Sequence, residues 1–323
     1  MAQHEVDIHS AKLVDLPMVR RLAEKGAVLD SEVCYTRETG AVQSHLLSSV
    51  LLPQRGLTTL VGRAGKLQVI GQIRVKASDH LAQIVYIAPD LQDQCNTVWL
   101  HLIDAMAIEA GRRGAHMLTA EVDEQSPLFA TLRHTGFAVY ARQEIWRLPA
   151  GYPLTARPLP GLLADETDDD QMDIQLLYSN IVPRLVQPIT VPSVDSDGIV
   201  YRSKGRVMGY IAVSQGKGGI YLMPFLHPDV LGSEAAAILS AVVAYVNRSV
   251  RTPVYVCVRR YQDWLAESAA ELGFERMTQQ AVLVRHIAAG VRQTLFARLT
   301  TPALEVAAAR PPTSNISPAD RGS

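Results

Sequence analysis

The chain of 323 residues is long enough for two domains of ordinary size, and its 48% hydrophobic and 20% charged content is typical of a globular protein. This composition excludes a chain that is disordered throughout. The formal net charge of −1 gives no general reason to bind nucleic acid or an anionic membrane. We therefore expect a small molecule or a protein as the partner, no nucleic acid and no membrane, and the sequence leaves the oligomeric state open.

The ends of the chain and its cysteines bear on location and metal binding. Residues Met1 to Ser10 contain no basic start followed by an apolar run, and no segment reaches about 18 consecutive apolar residues, so we expect a cytoplasmic protein. Cys34, Cys95 and Cys257 are an odd number without CxxC spacing, which favours reduced thiols over disulfides or zinc. The nine histidines show no HxxxH or HxH spacing, and we expect no metal.

The first half of the chain predicts one strand, two helices, three antiparallel strands and then alternating helices and strands. Asp15 is expected to cap the first helix, and a parallel pairing is expected across the third helix. In chain order the predicted elements are a strand at Val6–Lys12, a helix from Pro17, a helix over Val42–Val50, strands at Leu57–Gly62, Leu67–Lys76 and Leu81–Ala88, a helix from Val98, a strand at His116–Val122, a helix from Pro127 and a closing strand at Val139–Leu148.

A proline-rich linker follows, with one strand expected within it at Leu154–Leu159, and then the pattern repeats. Four matches in the same order predict an internal duplication, so we expect a first domain at residues 1–150, a second at 151–290 and a mostly disordered tail at 291–323. The matching pairs are Asp15–Leu22 with Asp170–Leu177, Ile70–Val75 with Met208–Val213, Pro89-Asp90 with Pro228-Asp229, and Leu132–Phe137 with Ala269–Phe274.

The stretch from His80 to Ala115 reads as a buried strand, a polar loop and a helix whose first-turn N–H groups face the space beyond the strand. This unit and the order of elements resemble the GCN5-related N-acetyltransferase (GNAT) superfamily. The resemblance implies an α/β fold of the mixed-sheet kind, with two tandem GNAT-like acyl-CoA N-acyltransferase domains. Each domain is expected to form its own mixed sheet, with a central strand splayed from its parallel neighbour.

The resemblance also implies acetyl-CoA as the cofactor, bound through a loop of the form Gln/Arg-x-x-Gly-x-Gly/Ala, because a Cβ there would separate the amides from a pyrophosphate. The second copy has Glu234 at the first glycine position, where it either repels a phosphate or simply lies in the first turn of a helix. The first copy is therefore the more favourable binder. Its expected cofactor residues are Tyr86 and Ile87, whose backbone would hold the pantetheine, and the loop Gln92, Asp93, Gln94, Cys95, Asn96 and Thr97, which keeps the glutamine and loses both glycines.

Catalytic groups of the family are missing from their usual positions. Leu132 and Ala269 replace its tyrosine, and neither central strand carries an acid. Glu121 and Asp123 are the candidate bases, and the alternative is that they are solvated carboxylates at a strand end. Cys95 is a candidate nucleophile at a helix N-terminus, with a small buried cysteine as the alternative.

Two functions of different classes follow from these observations. The first, by resemblance, is transfer of an acetyl group from acetyl-CoA to a primary amine of a small molecule or a protein. The second is a catalytically inactive tandem GNAT-like module that binds a ligand or a protein. The retained Gln92 favours the enzyme, and the missing glycines, tyrosines and acids favour the binding module.

Overall fold

The computed structural model describes residues 6–38, 56–76, 80–91, 97–155, 157–190, 197–230, 232–246 and 252–287. The predicted helix over Val42–Val50 and the predicted tail at 291–323 lie outside these ranges. Among the described residues no helix is both long enough and apolar enough to cross a membrane.

The described elements of the first copy follow the predicted order closely. The strands are β1 Asp7–Ser10, β2 Ala27–Val28, β3 Leu57–Ala64, β4 Leu67–Lys76, β5 Leu81–Ala88, β6 Met117–Asp123 and β7 Ala138–Leu148. The helices are α1 Leu16–Leu22, α2 Ser31–Thr36, α3 Thr97–Arg112 and α4 Pro127–His134.

In its described residues the second copy repeats this order without counterparts of β2 and α2. Its strands are β8 Leu162–Asp165, β9 Asp197–Ser203, β10 Arg206–Gln215, β11 Ile220–Leu226, β12 Val254–Arg259 and β13 Glu275–His286, and its helices are α5 Gln171–Ile181, α6 Ser233–Val246 and α7 Leu265–Glu271. The predicted strand at Leu154–Leu159 is wrong, because the described residues of that segment form no strand and the first strand of the copy begins at Leu162. Pro158 and Pro160 lack the N–H that a ladder needs.

Apolar periodicity explains why the long helices pack where they do. Trp99, Ile103, Met106 and Ala110 lie on one face of α3 and are buried against β3, β4 and β6. The helix α6 packs in the same way in the second copy, where Ala235, Ile238, Leu239 and Val242 are fully buried. Each of these helices, with the strands beneath it, forms the apolar core of its copy and holds the sheet in place.

All but one of the strands form a single path of hydrogen-bonded neighbours, in the order β1-β3-β4-β5-β6-β13-β7-β12-β11-β10-β9-β8, and β2 pairs with β5 off this path. The expectation of two separate sheets is therefore wrong. The reason lies in the last strand of each copy. Strand β7 pairs with β12 of the second copy, and β13 pairs with β6 of the first, so each copy completes the sheet of the other.

The expectation that the closing strand at Val139–Leu148 completes the sheet of its own copy is corrected by the same pairings. Between them β7 and β13 pair with each other antiparallel, from Glu275↔Arg147 to Val284↔Ala138. The junction of the copies is therefore a continuous ladder with more backbone pairing than a packed interface between two closed sheets would have.

The expected splay of the central strand is confirmed in both copies. Strand β5 pairs in parallel with β6 over three residues only, and the last pair is Gln83↔Thr119. Strand β11 pairs with β12 over three residues as well, and the last pair is Leu222↔Val256. Beyond each of these pairs the shared sheet contains a V-shaped gap with unpaired backbone on its two edges, and such backbone must find other partners when it is buried.

Candidate functional site

The gap of the first copy, between β5 and β6, is filled by the segment Lys25–Leu29, which contains β2. Ala27 pairs with Ile87 and Val28 pairs with Tyr86 in an antiparallel register. The N–H of Leu29 donates to the Val85 carbonyl at 2.9 Å, and the Leu29 carbonyl accepts from the Glu121 N–H at 3.0 Å. The segment therefore bonds to both edges of the gap.

Close packing holds this segment against β5. The Tyr86 hydroxyl donates to the Ala23 carbonyl at 2.7 Å, and the Asp90 N–H donates to the Lys25 carbonyl at 2.5 Å. A Cβ built on Gly26 would lie 2.3 Å from the Ile87 carbonyl oxygen, far inside contact distance. Only glycine at this position lets the two backbones come so close. Their contact leaves no room for a further extended group along Tyr86 and Ile87.

The gap of the second copy, between β11 and β12, is closed by one side chain. Gln262 lies in a 3₁₀ turn directly after β12 and is 1% exposed. Its Oε1 accepts from the Leu226 N–H at 2.8 Å, and its Nε2 donates to the Pro224 carbonyl at 3.0 Å. The amide thus makes the same pair of bonds to the free edge of β11 that a neighbouring strand would make.

The predicted cofactor loop is only partly covered by the structure. Gln92, Asp93, Gln94, Cys95 and Asn96 lie outside the described residues, so their placement stays a prediction. Thr97 is described as the exposed first residue of α3.

Glu234, at the glycine position of the second copy, lies in the first turn of α6. Its Oε1 accepts a hydrogen bond of 2.7 Å from the Tyr201 hydroxyl. Burial and the Glu234 carboxylate raise the pKa of Tyr201 to about 12, so the hydroxyl remains the donor. This is the helix-start role that the sequence offered as an alternative.

The two candidate bases are engaged in structural contacts. The Oε2 of Glu121 accepts from the Ser31 N–H at the start of α2 at 2.9 Å, and its Oε1 lies 3.6 Å from Nη2 of Arg259. Asp123 accepts from the Thr278 hydroxyl and from the Gln125 N–H, both at 2.8 Å. Asp123 therefore fixes a turn at the end of β6, and Glu121 belongs to a polar cluster at the junction of the copies.

This polar cluster follows one row of residues across the four central strands. Asp123, Gln280, Gln143 and Arg259 are consecutive register partners on β6, β13, β7 and β12. The Nε2 of Gln143 donates to Oε1 of Gln280 at 2.8 Å, and the Ser31 hydroxyl donates to the same oxygen at 2.8 Å.

Sequence reasoning missed Ser31, Gln143, Gln280, Arg259 and Gln262, although a signal for two of them was present. A Gly-Phe pair precedes the last strand of each copy, at Gly136-Phe137 and at Gly273-Phe274, and Gln143 and Gln280 each lie six residues after its phenylalanine. A glutamine at the same place in the last strand of each copy indicates a shared position in the fold. No comparable pattern marks Gln262, whose role depends on the turn after β12.

Thiols near the row are not activated. Burial raises the pKa of the Cys257 thiol, whose Sγ donates to Oε1 of Gln143 at 3.3 Å. The Cys34 side chain on α2 is exposed at its surface, but desolvation by the surrounding residues and the nearby Asp30 and Glu121 carboxylates raise the pKa of its thiol. Both groups are therefore poor nucleophiles at neutral pH. The described part of the chain contains no group of three or more His, Cys, Asp or Glu side chains that could hold a metal ion.

No family model matches the sequence, and no curated protein matches it significantly. Solved structures do match the fold. A GCN5-related N-acetyltransferase from Sphaerobacter thermophilus matches with a TM-score of 0.58 at 12% identity over 87% of this chain and 96% of that chain. The chain has the GNAT fold.

Further solved structures agree with a tandem arrangement. A tandem GNAT protein from the clavulanic acid biosynthesis pathway matches with a TM-score of 0.54 at 16% identity, over 88% of this chain and 99% of that chain. A putative acetyltransferase from Pyrococcus horikoshii matches with a TM-score of 0.52 at 11% identity, over 88% of this chain and 91% of that chain. The predicted fold class, an α/β mixed-sheet fold with two tandem GNAT-like domains, is confirmed, and the two copies share one continuous sheet.

The described residues do not fit the pantetheine of acetyl-CoA in the position that the GNAT resemblance implies. That position is the free edge of the splayed central strand, at Tyr86 and Ile87 in the first copy. Ala27 and Val28 already pair with this edge. In the second copy the Gln262 amide bonds the corresponding edge at Leu226 and Pro224.

Proposed function

We propose that this protein is a catalytically inactive tandem GNAT-like module that binds a ligand instead of transferring an acetyl group. The observation that carries the proposal is that both gaps are filled by groups of the chain itself. The filling groups differ, a strand segment in the first copy and a buried glutamine in the second. The two copies close the same gap in unrelated ways. This supports the proposal that neither gap receives a coenzyme.

The state of the candidate bases also supports this proposal. A general base must reach the proton that it removes and must be free to accept it. Both oxygens of Glu121 face partners, the Ser31 N–H and the Arg259 guanidinium, and Asp123 accepts two hydrogen bonds of its own. Neither carboxylate is positioned for proton transfer to an acceptor amine.

Acetyl transfer to a primary amine by the first copy remains the competing function. It would require Lys25–Leu29 to leave the gap, with loss of the Ala27 and Val28 pairings and of the bonds that Leu29 makes to Val85 and Glu121. Breaking these contacts costs free energy that must be subtracted from the binding free energy of the coenzyme. The coenzyme can empty the gap only to the extent that it binds the open gap more tightly than the filled one.

A calorimetric titration of the full-length protein with acetyl-CoA tests the proposal. We expect no saturable heat for the wild-type protein. The variant Gln262→Ala, which opens the second gap without touching the first, provides the comparison, and exposed Gln175→Ala serves as the matched control. Saturable binding of one coenzyme per wild-type chain, together with acetylation of any amine in a thiol-release assay, would contradict the proposal.

A further inference from the structure

Exposed apolar side chains are concentrated near the two outer edges of the shared sheet, which are β1 and β8. Among the described residues nine large apolar side chains are exposed, and four of them lie in or beside the first α-helix of a copy. Leu13 and Val14 lie in the 3₁₀ turn before α1, and Val14 is 79% exposed. Met172 and Leu176 lie one turn apart on α5, and Met172 is 77% exposed. Such apolar groups on a surface indicate a contact site.

The exposed charges beside these two apolar pairs have opposite signs. Between residues 12 and 22 every exposed charge is basic, and between residues 167 and 177 every exposed charge is acidic. We define the basic face as Lys12, Leu13, Val14, Arg20 and Arg21. We define the acidic face as Asp168, Asp169, Met172, Asp173 and Leu176. No charged member of either face forms an ion pair with another described residue.

The two faces occupy the same place in the duplicated motif. In the matched segments of the two copies, Leu13-Val14 falls on Asp168-Asp169, and Arg21 falls on Leu176. The aspartate before the helix and the leucine at its end are buried in both copies. The interior of the motif is therefore alike in the two copies, whereas its outer surface exchanges apolar for charged positions. The net charge of −1 conceals this separation of charge between the two ends of the sheet.

We propose that the basic face of one chain binds the acidic face of a second copy of the same chain. In such a contact the apolar side chains of both faces leave water together, which is the main favourable contribution. The charges around them meet charges of opposite sign, whereas a contact between two like faces would bring charges of one sign together. Each face has few apolar side chains, so we expect reversible association that depends on protein concentration. This inference goes beyond the proposed function, because neither face belongs to the two gaps.

The test is sedimentation equilibrium of the full-length protein at pH 7, over micromolar to millimolar concentrations. At low ionic strength we expect the weight-average mass to rise above that of one chain as the concentration increases. In high sodium chloride the rise should be smaller, because salt screens exposed charges over distances beyond about 3–10 Å.

Charge reversal distinguishes this contact from association through any other surface. Asp169→Arg with Asp173→Arg gives a chain with two basic faces, and Arg20→Asp with Arg21→Asp gives a chain with two acidic faces. Each variant alone should associate about tenfold more weakly than the wild type, because repulsion replaces attraction between exposed charges. An equimolar mixture of the two variants should associate again, because the first variant has an intact basic face and the second has an intact acidic face.

The matched control is Glu267→Arg with Glu275→Arg, which changes the net charge as much as the first variant does, at exposed acids outside both faces. It should associate like the wild type, and thermal unfolding of every variant shows whether it is folded. The inference is overturned if the wild type stays a single chain at every concentration or if either reversed variant associates like the wild type. It is also overturned if the two folded variants fail to associate when mixed.

Discussion

The carboxylate of Asp15 lies 2.6 Å from the guanidinium of Arg63, and only 1% of the Asp15 side chain is exposed. The second copy contains the same relationship between Asp170, 2% exposed, and Arg202. Each aspartate directly precedes the first α-helix of its copy, and each arginine lies on a later strand of the same copy, β3 or β9. The sequence expectation that Asp15 caps α1 is corrected, because its carboxylate accepts instead from the Lys12 N–H at 2.9 Å.

Asp15 should contribute stability at neutral pH that is lost in acid. Burial opposes its ionisation, but hydrogen bonds from Lys12 and His9 and the charge of Arg63 outweigh burial and hold the pKa of Asp15 below its ordinary value. A lowered pKa means that the unfolded chain binds the proton more tightly, so the contribution disappears as the pH falls below about 4. In urea unfolding, the free energy of unfolding should differ greatly between wild type and Asp15→Asn at pH 7, and the difference should narrow below about pH 4. A difference that stays constant down to pH 3, or one matched by exposed Asp169→Asn, would contradict this role.

Asp30 should show the opposite dependence on pH. It is buried, it pairs with Arg74 and it accepts from the Val33 N–H at 3.2 Å. Burial is the main reason that its pKa is raised to about 6. The folded protein therefore binds this proton more tightly than the unfolded chain, and stability falls as the pH rises from about 4 to about 6. In urea unfolding, Asp30→Asn should not lose stability over this range of pH. Parallel pH profiles for variant and wild type over that window would refute the assignment.

Gln262 should stabilise the fold well beyond the usual contribution of a polar side chain. Gln262→Ala leaves the Leu226 N–H and the Pro224 carbonyl without their partner in a buried gap, so we expect a loss of about 1–3 kcal/mol in the free energy of unfolding. Exposed Gln175→Ala should change it by less than about 0.5 kcal/mol. Equal effects of the two substitutions in urea unfolding would show that the gap does not depend on the amide.

The exchange of β7 and β13 predicts that the two proposed domains depend on each other. In a fragment of residues 1–150 the described pairing partners of β7 are absent, and β6 loses β13. We expect fragments 1–150 and 151–290 to be unfolded or aggregated when expressed separately, and to copurify as a one-to-one complex when expressed together. A monomeric fragment 1–150 that unfolds cooperatively on its own would mean that β7 closes the sheet of its own copy, as the sequence alone suggested.

The sequence determined the local elements because their signals are local. The apolar β-branched run from Leu81 to Ala88 is bounded by His80 and Pro89, and β5 has those bounds. Ser126 caps α4 through the Leu128 N–H at 3.3 Å, as its position before Pro127 predicts. The parallel pairing across α3 also follows from sequence, because a helix between two strands crosses from one end of the sheet to the other.

The tertiary structure alone decided the partners of the last strands and the contents of the two gaps. Strands β7 and β13 are long and similar in pattern, so either would satisfy the edge of β6 or of β12, and the choice depends on the whole sheet. Ala27 and Val28 form a strand of two residues, too short for a periodic signal, and Gln262 acts through a side chain in a turn. Such contacts join residues far apart in the chain, and their free energy comes from satisfying buried backbone groups that no local pattern reveals.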